Sequence, residues 1–120
     1  MATFSKIALS GSTDGRMIKV AATATAGTLL HTGSTTATTF DEIWLYAVNT
    51  STTSVKLTIE WGGVTSSDDL IEQSIPAESG LYLISPGLII KGNATALIVR
   101  AFAGTADVVN IAGYVNRITA

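Results

Sequence analysis

Short apolar runs recur along this chain, separated by turn residues at intervals of about 8–12 residues, the spacing of an all-β sandwich or barrel. The strongest is Asp41–Asn49. Ile43, Leu45 and Ala47 share one parity in it, and Trp44, Tyr46 and Val48 share the other. Successive strand side chains point to opposite faces, so both faces of this strand are apolar. It is predicted to be central and covered on both sides, by its own fold or by a neighbouring subunit. In Val55–Trp61 the apolar Val55, Leu57, Ile59 and Trp61 alternate with Lys56, Thr58 and Glu60. That pattern predicts a half-buried strand with a wet face. The Ser/Thr link Thr50–Thr53 predicts that the two strands form an antiparallel hairpin.

The remaining elements follow the same logic. Thr3–Leu9 reads as an edge strand or an arm, closed by a turn at Ser10–Gly15 whose Asp14-Gly15 pair favours tight reversal. Arg16–Ala22 and Thr28–His31 read as strands, with Thr23–Gly27 ambiguous between them. Leu70–Ile75 ends at Pro76, and Leu81–Ile84 and Leu88–Ile90 are separated by a turn at Ser85-Pro86-Gly87. Thr95–Ala103 and Val108–Val115 complete the set. No segment predicts a helix and no fixed-period repeat appears. The expectation is one domain over residues 1–120: a single antiparallel β-sandwich of eight or nine short strands, jelly-roll-like or immunoglobulin-like, with residues 1–9 as an N-terminal arm or edge strand.

Composition narrows the function classes. With 120 residues the chain builds one hydrophobic core without metal or disulfide, and it has no cysteine, which removes thiol chemistry and zinc-thiolate sites. Charged residues make up 13%, about half the usual share; Thr, Ser, Gly and Ala take their place. A net charge of −2 without a basic patch argues against nucleic acid. It also protects weakly against self-association, a hint that a partner covers part of the surface. No run approaches the ~20 apolar residues of a membrane helix. The N-terminal segment lacks the form of a secretory signal, because Ser10-Gly11-Ser12 breaks its apolar stretch. Synthesis in the cytoplasm is expected, with export only inside a larger particle.

Candidate chemistry is sparse, and no catalytic residue is assigned. His31 is the single histidine, read as a partly exposed strand-end residue rather than a base or a ligand. No Gly-x-Ser-x-Gly elbow and no phosphate loop occurs. Asp68, Asp69 and Glu72 fit no EF-hand spacing; they read as a solvated acidic loop in preference to a calcium site. Nothing in the sequence brings Glu60 and Glu72 together as a glycosidase-type pair. No metal or cofactor is expected. Trp44, Tyr46, Trp61, Tyr82 and Tyr114 lie in apolar strands, where core packing is favoured over sugar stacking. Arg100 and Arg117 are isolated in apolar strands; each either pairs with a carboxylate across a subunit contact or reaches to solvent.

The runs Ile18–Thr23, Asp41–Asn49, Val55–Gly63, Val99–Ala103 and Val108–Arg117 together resemble small structural proteins encoded in the head-gene modules of tailed bacteriophages. The likeness spans about Lys6 to Ile118 and is one of strand sequences, without a catalytic signature. It implies a virion component on the capsid surface: a decoration or cement protein, often trimeric, that binds between major capsid subunits. A tail- or fibre-associated module that binds carbohydrate or a host surface shares the same character. Candidate interface residues are Phe4, Trp44, Tyr46, Arg100 and Arg117. An edge strand can accept a strand from a neighbour, which gives the N-terminal arm a role in assembly.

Overall fold

The computed structural model describes residues 2–120; Met1 lies outside the described residues. Nine strands are present: β1 (Thr3–Ala8), β2 (Ile18–Lys19), β3 (Thr28–Thr32), β4 (Thr39–Asn49), β5 (Val55–Trp61), β6 (Leu70–Ile75), β7 (Tyr82–Lys91), β8 (Ile98–Ala103) and β9 (Val109–Thr119). There is no helix among the described residues. Sheet A has the order β1-β9-β4-β7, with β2 continuing along the β1 side of β9. Sheet B has the order β3-β8-β5-β6.

The pairings are nested. β5 pairs with β6, β4 with β7, β3 with β8 and β2 with β9, all antiparallel. A long hairpin rolled up in this way is a jelly roll, which decides against the immunoglobulin-like alternative. It also corrects the predicted β4–β5 hairpin. β4 lies in sheet A and β5 in sheet B, so Thr50–Ser54 crosses between the sheets. Asn49, 1% exposed, builds that corner. Its Nδ2 donates to the carbonyls of Thr53 and Ile75 at 2.9 and 3.0 Å, and its Oδ1 accepts from the amide and hydroxyl of Ser51.

Two further expectations change for local reasons. Ser85-Pro86-Gly87 is no turn: β7 runs through it as one strand. Opposite it, Ile43 pairs with Leu88 and Trp44 with Pro86, so Gly87 is an extra residue in a bulge. Gly87 has φ +85°, open to glycine, and a Cβ there would lie 3.1 Å from the Trp44 ring. Proline is tolerated because β7 is an edge strand. In sheet B, Glu60 (0% exposed) and Thr58 (2%) are buried, so the wet face expected of β5 is largely covered. The segment before β3 does this for Glu60, whose carboxylate accepts from the Thr25 hydroxyl at 2.8 Å and from the Gly27 amide at 2.7 Å.

The core fills the space between the sheets. Ile43, Leu45, Ala47, Ile111 and Val115 of sheet A meet Leu30, Leu57, Ile59, Val99 and Ala101 of sheet B, each at most 1% exposed. Burying each larger aliphatic side chain contributes about 1.5–3 kcal/mol. β4 therefore has one parity in the core, as the sequence pattern requires. Its other parity is only half-buried.

Candidate functional site

Three charged or titratable residues meet inside the sandwich. Asp41 has the parity of Ile43 and Leu45 on β4, and Arg117 that of Val115 on β9, and the two are cross-strand partners. Both point inward as a result. Arg117 donates to Asp41 twice, Nε to Oδ1 and an Nη to Oδ2, each at 2.8 Å. A bidentate guanidinium–carboxylate pair is the strongest geometry open to these groups. His31 joins from β3. Its register slips between Leu29 and His31, and this bulge places both Leu30 and His31 inside. His31 is 1% exposed, which corrects the reading of a partly exposed strand-end residue. Its Nε2 lies 2.7 Å from Asp41 Oδ2, and its Nδ1 accepts the Ser10 backbone N–H at 3.1 Å. Because Nδ1 is an acceptor, Nε2 carries the hydrogen and donates to Asp41.

The electrostatics follow from this geometry. Burial, the largest influence, holds His31 below its ordinary 6.5 despite the opposing effect of Asp41, and the ring is neutral at pH 7. Burial also raises Asp41, but the hydrogen bonds from Arg117 and His31 outweigh it and keep the carboxyl below 3.8. Arg117 is raised by its bond to Asp41. His31 Nδ1 is occupied by the Ser10 backbone amide, and the Ser10 hydroxyl accepts from the Thr32 N–H. Arg117 was expected either to cross a subunit contact or to reach solvent. It pairs within its own chain with Asp41, and its side chain stays 31% exposed.

The outer face of sheet A is the other feature of note. The register arranges its side chains in rows across β1, β9, β4 and β7. One row is Phe4, Ile118, Phe40 and Lys91; the next is Lys6, Asn116, Glu42 and Ile89; the third is Ala8, Tyr114, Trp44 and Pro86. Beyond it, Tyr46 stands between Ala112 and Leu83. Trp44 and Tyr114 stack with centroids 6.1 Å apart and planes at 11°, and Lys6 Nζ lies 4.6 Å from the Tyr114 centroid. Glu42 accepts from Trp44 Nε1 and from Asn116 Nδ2, each at 3.0 Å, and these bonds hold its carboxyl below the ordinary range. The result is a rigid cross-strand ladder. Around it large apolar side chains are open to water: Phe4 is 71% exposed, Ile89 55%, Leu83 47% and Phe40 38%. Four strands contribute to one face that the described residues leave uncovered.

Of the five candidate interface residues, Phe4, Trp44 and Tyr46 are brought together on this face. Arg117 is not, and Arg100 lies on sheet B. There it lines a shallow groove of about 290 Å³ with Gly62, Val64, Thr95 and Leu97. The acidic residues do not converge. Asp69 accepts from the Thr65 amide at 3.0 Å, and Glu72 pairs with Lys56 at 2.8 Å on the surface. Among the described residues no group of three or more His, Cys, Asp or Glu is placed to hold a metal ion. No helix among them is long and apolar enough to cross a membrane.

No family model matches this chain, and no curated protein or solved structure matches it either. A jelly roll is shared by capsid proteins, lectins and enzymes, so the fold does not select among functions.

Proposed function

We propose that this chain is a structural virion protein of a tailed bacteriophage, which stabilises the head by binding between major capsid subunits through the outer face of sheet A. The observation that carries the reading is the uncovered apolar face, with Phe4, Phe40, Leu83 and Ile89 exposed around the Lys6–Tyr114–Trp44 ladder. Large exposed apolar side chains gathered on one sheet face, here with the polar row Lys6, Asn116 and Glu42 between them, are a feature of protein interaction sites. The choice of partner rests on the resemblance read from the strand sequences alone. A trimer on the capsid surface is the assembly that likeness implies. Affinity then comes from many small contacts with a few aromatic anchors.

The test is co-sedimentation with heads that lack the protein. Wild-type protein should bind, while Phe4→Asp and Ile89→Asp, both on exposed side chains, should weaken binding by at least about tenfold without altering circular dichroism. Binding unchanged in both variants refutes the docking face. Failure of the wild-type protein to bind heads refutes the virion role. Deletion of residues 2–9 should also weaken attachment or trimer formation, since β1 supplies Phe4 and Lys6 to the face.

A further inference from the structure

The N-terminal strand is held in an unusual way. β1 pairs only with β9, at the edge of sheet A, and all of its residues except Ile7 are exposed. It gains little from packing and belongs to the part of the fold that opens most easily. Its anchor lies just beyond it, where Leu9–Gly11 lies against β3. Leu9 is 2% exposed, the Gly11 amide donates to the Leu30 carbonyl at 2.9 Å, the Thr32 amide donates to the Ser10 hydroxyl at 2.6 Å, and the Ser10 amide donates to His31 Nδ1 at 3.1 Å.

The last of these bonds depends on the charge of the ring. Nδ1 offers one lone pair, and the Ser10 amide uses it. Nε2 already bears a hydrogen directed at Asp41, so an incoming proton binds at Nδ1. The imidazolium then points an N–H at the Ser10 N–H, donor against donor. The gain available on the other side of the ring is limited, because Arg117 already neutralises Asp41 through two bonds. The charged groups that act on His31 are Asp41 from β4 and Arg117 from β9; from β8, Val99 stands opposite it. Of the contacts around the ring, the one to Ser10 is the one that protonation removes.

We infer that His31 is a proton-operated latch on the N-terminal strand: uptake of a proton at Nδ1 breaks the Ser10 N–H bond to the ring, one of the contacts that anchor Leu9–Gly11, and so lowers the free energy needed to open β1 from the edge of β9 while the rest of the sandwich stays folded. Release uncovers the β9 edge from Tyr114 to Thr119, the segment with which β1 is paired, and makes it available to a strand from another chain. Acidification then converts a closed sheet edge into an acceptor. The inference does not depend on the identity of the docking partner.

Residue-resolved amide exchange of the full chain, followed by NMR and corrected for intrinsic rates, tests it. Between about pH 7.5 and the pH at which ¹⁵N spectra show the His31 ring protonated, protection of the Thr3–Ala8 amides should fall at least about tenfold while that of Leu57–Ile59 holds. His31→Gln, which does not titrate, should remove the difference. Equal loss in both segments, or loss in neither, overturns the latch. Should His31→Gln not fold, ¹⁵N spectra of the wild-type ring decide the matter. A neutral ring protonated on Nε2, titrating in step with the loss of β1 protection, supports the latch. A ring protonated on Nδ1 at neutral pH, or titration unlinked to β1, overturns it.

Discussion

Arg117→Met isolates the energetic weight of the buried cluster. The substitution keeps the length and apolar stem of the side chain but removes both donors to Asp41, whose side chain is 0% exposed. Breaking a buried ion pair from one side costs about 3–5 kcal/mol, because the remaining charge stays buried and uncompensated. Here the Arg117 side chain is 31% exposed, so water screens the pair in part and enters when it is cut. With that discount the expected loss is about 2–3 kcal/mol. Unfolding entropy of about 2.1 cal/mol/K per residue gives about 0.25 kcal/mol/K for this chain, so Tm should fall by about 8–12 °C. Thermal unfolding by calorimetry at neutral pH measures this, and urea titration supplies an independent free energy. A second signature accompanies it. Without Arg117, burial pushes the Asp41 carboxyl upward and the variant loses stability at higher pH than the wild type. A Tm drop below about 4 °C together with an unchanged acid profile would refute the placement of this pair at the centre of the fold.

Other perturbations follow from single contacts. The wild-type protein should lose stability on acidification in two stages. His31, lowered in the folded state, contributes stability that is present above 6.5 and lost as pH falls toward its folded value; Asp41 does the same below 3.8. Chemical denaturation at a series of pH values should show both. Glu60→Ala removes the acceptor for Thr25 and Gly27 inside a buried site, so a loss of about 2–3 kcal/mol and faster amide exchange near Gly27 are expected. Gly113→Ala drives a Cβ into the Trp44 carbonyl oxygen, a backbone atom that cannot move aside, and should cost about 3 kcal/mol or more by urea titration.

The strand pattern was largely legible because parity carries it. β5 and β6 have the predicted boundaries, and β4 has one apolar parity in the core. The nested pairing was not legible. A Ser/Thr link of this length serves a hairpin or a crossover equally well, and the Asn49 side chain decides it through contacts with Thr53 and Ile75 that no local rule anticipates. Pro86-Gly87 misled for a related reason: the same residues that close a turn also build a bulge on an edge strand. The cluster leaves a partial trace in the strand parity. Asp41 shares the parity of Ile43, Leu45 and Ala47, and Arg117 that of Ile111 and Val115, so two opposite charges sat at core positions of two strong strands. Buried charges must be paired, but the sequence alone does not choose the partner: Arg117 lies two residues past the predicted strand end at Val115, and the β4–β9 pairing that joins it to Asp41 is part of the nested topology. His31 gave no such trace, because a bulge at Leu30 sets its direction. Glu60 departs from the alternation rule because a segment distant in sequence, Thr25–Gly27, covers it.

Side-chain footprinting by hydroxyl radicals, on free protein and on particles carrying it, tests the proposed docking face most directly. Phe4, Phe40, Leu83 and Ile89 should react readily in the free protein and become protected on the particle, while Leu29 and Val64, exposed at 37% and 43%, stay reactive in both. Unchanged reactivity of the sheet A residues on the particle, or protection confined to Leu29 and Val64, contradicts the account.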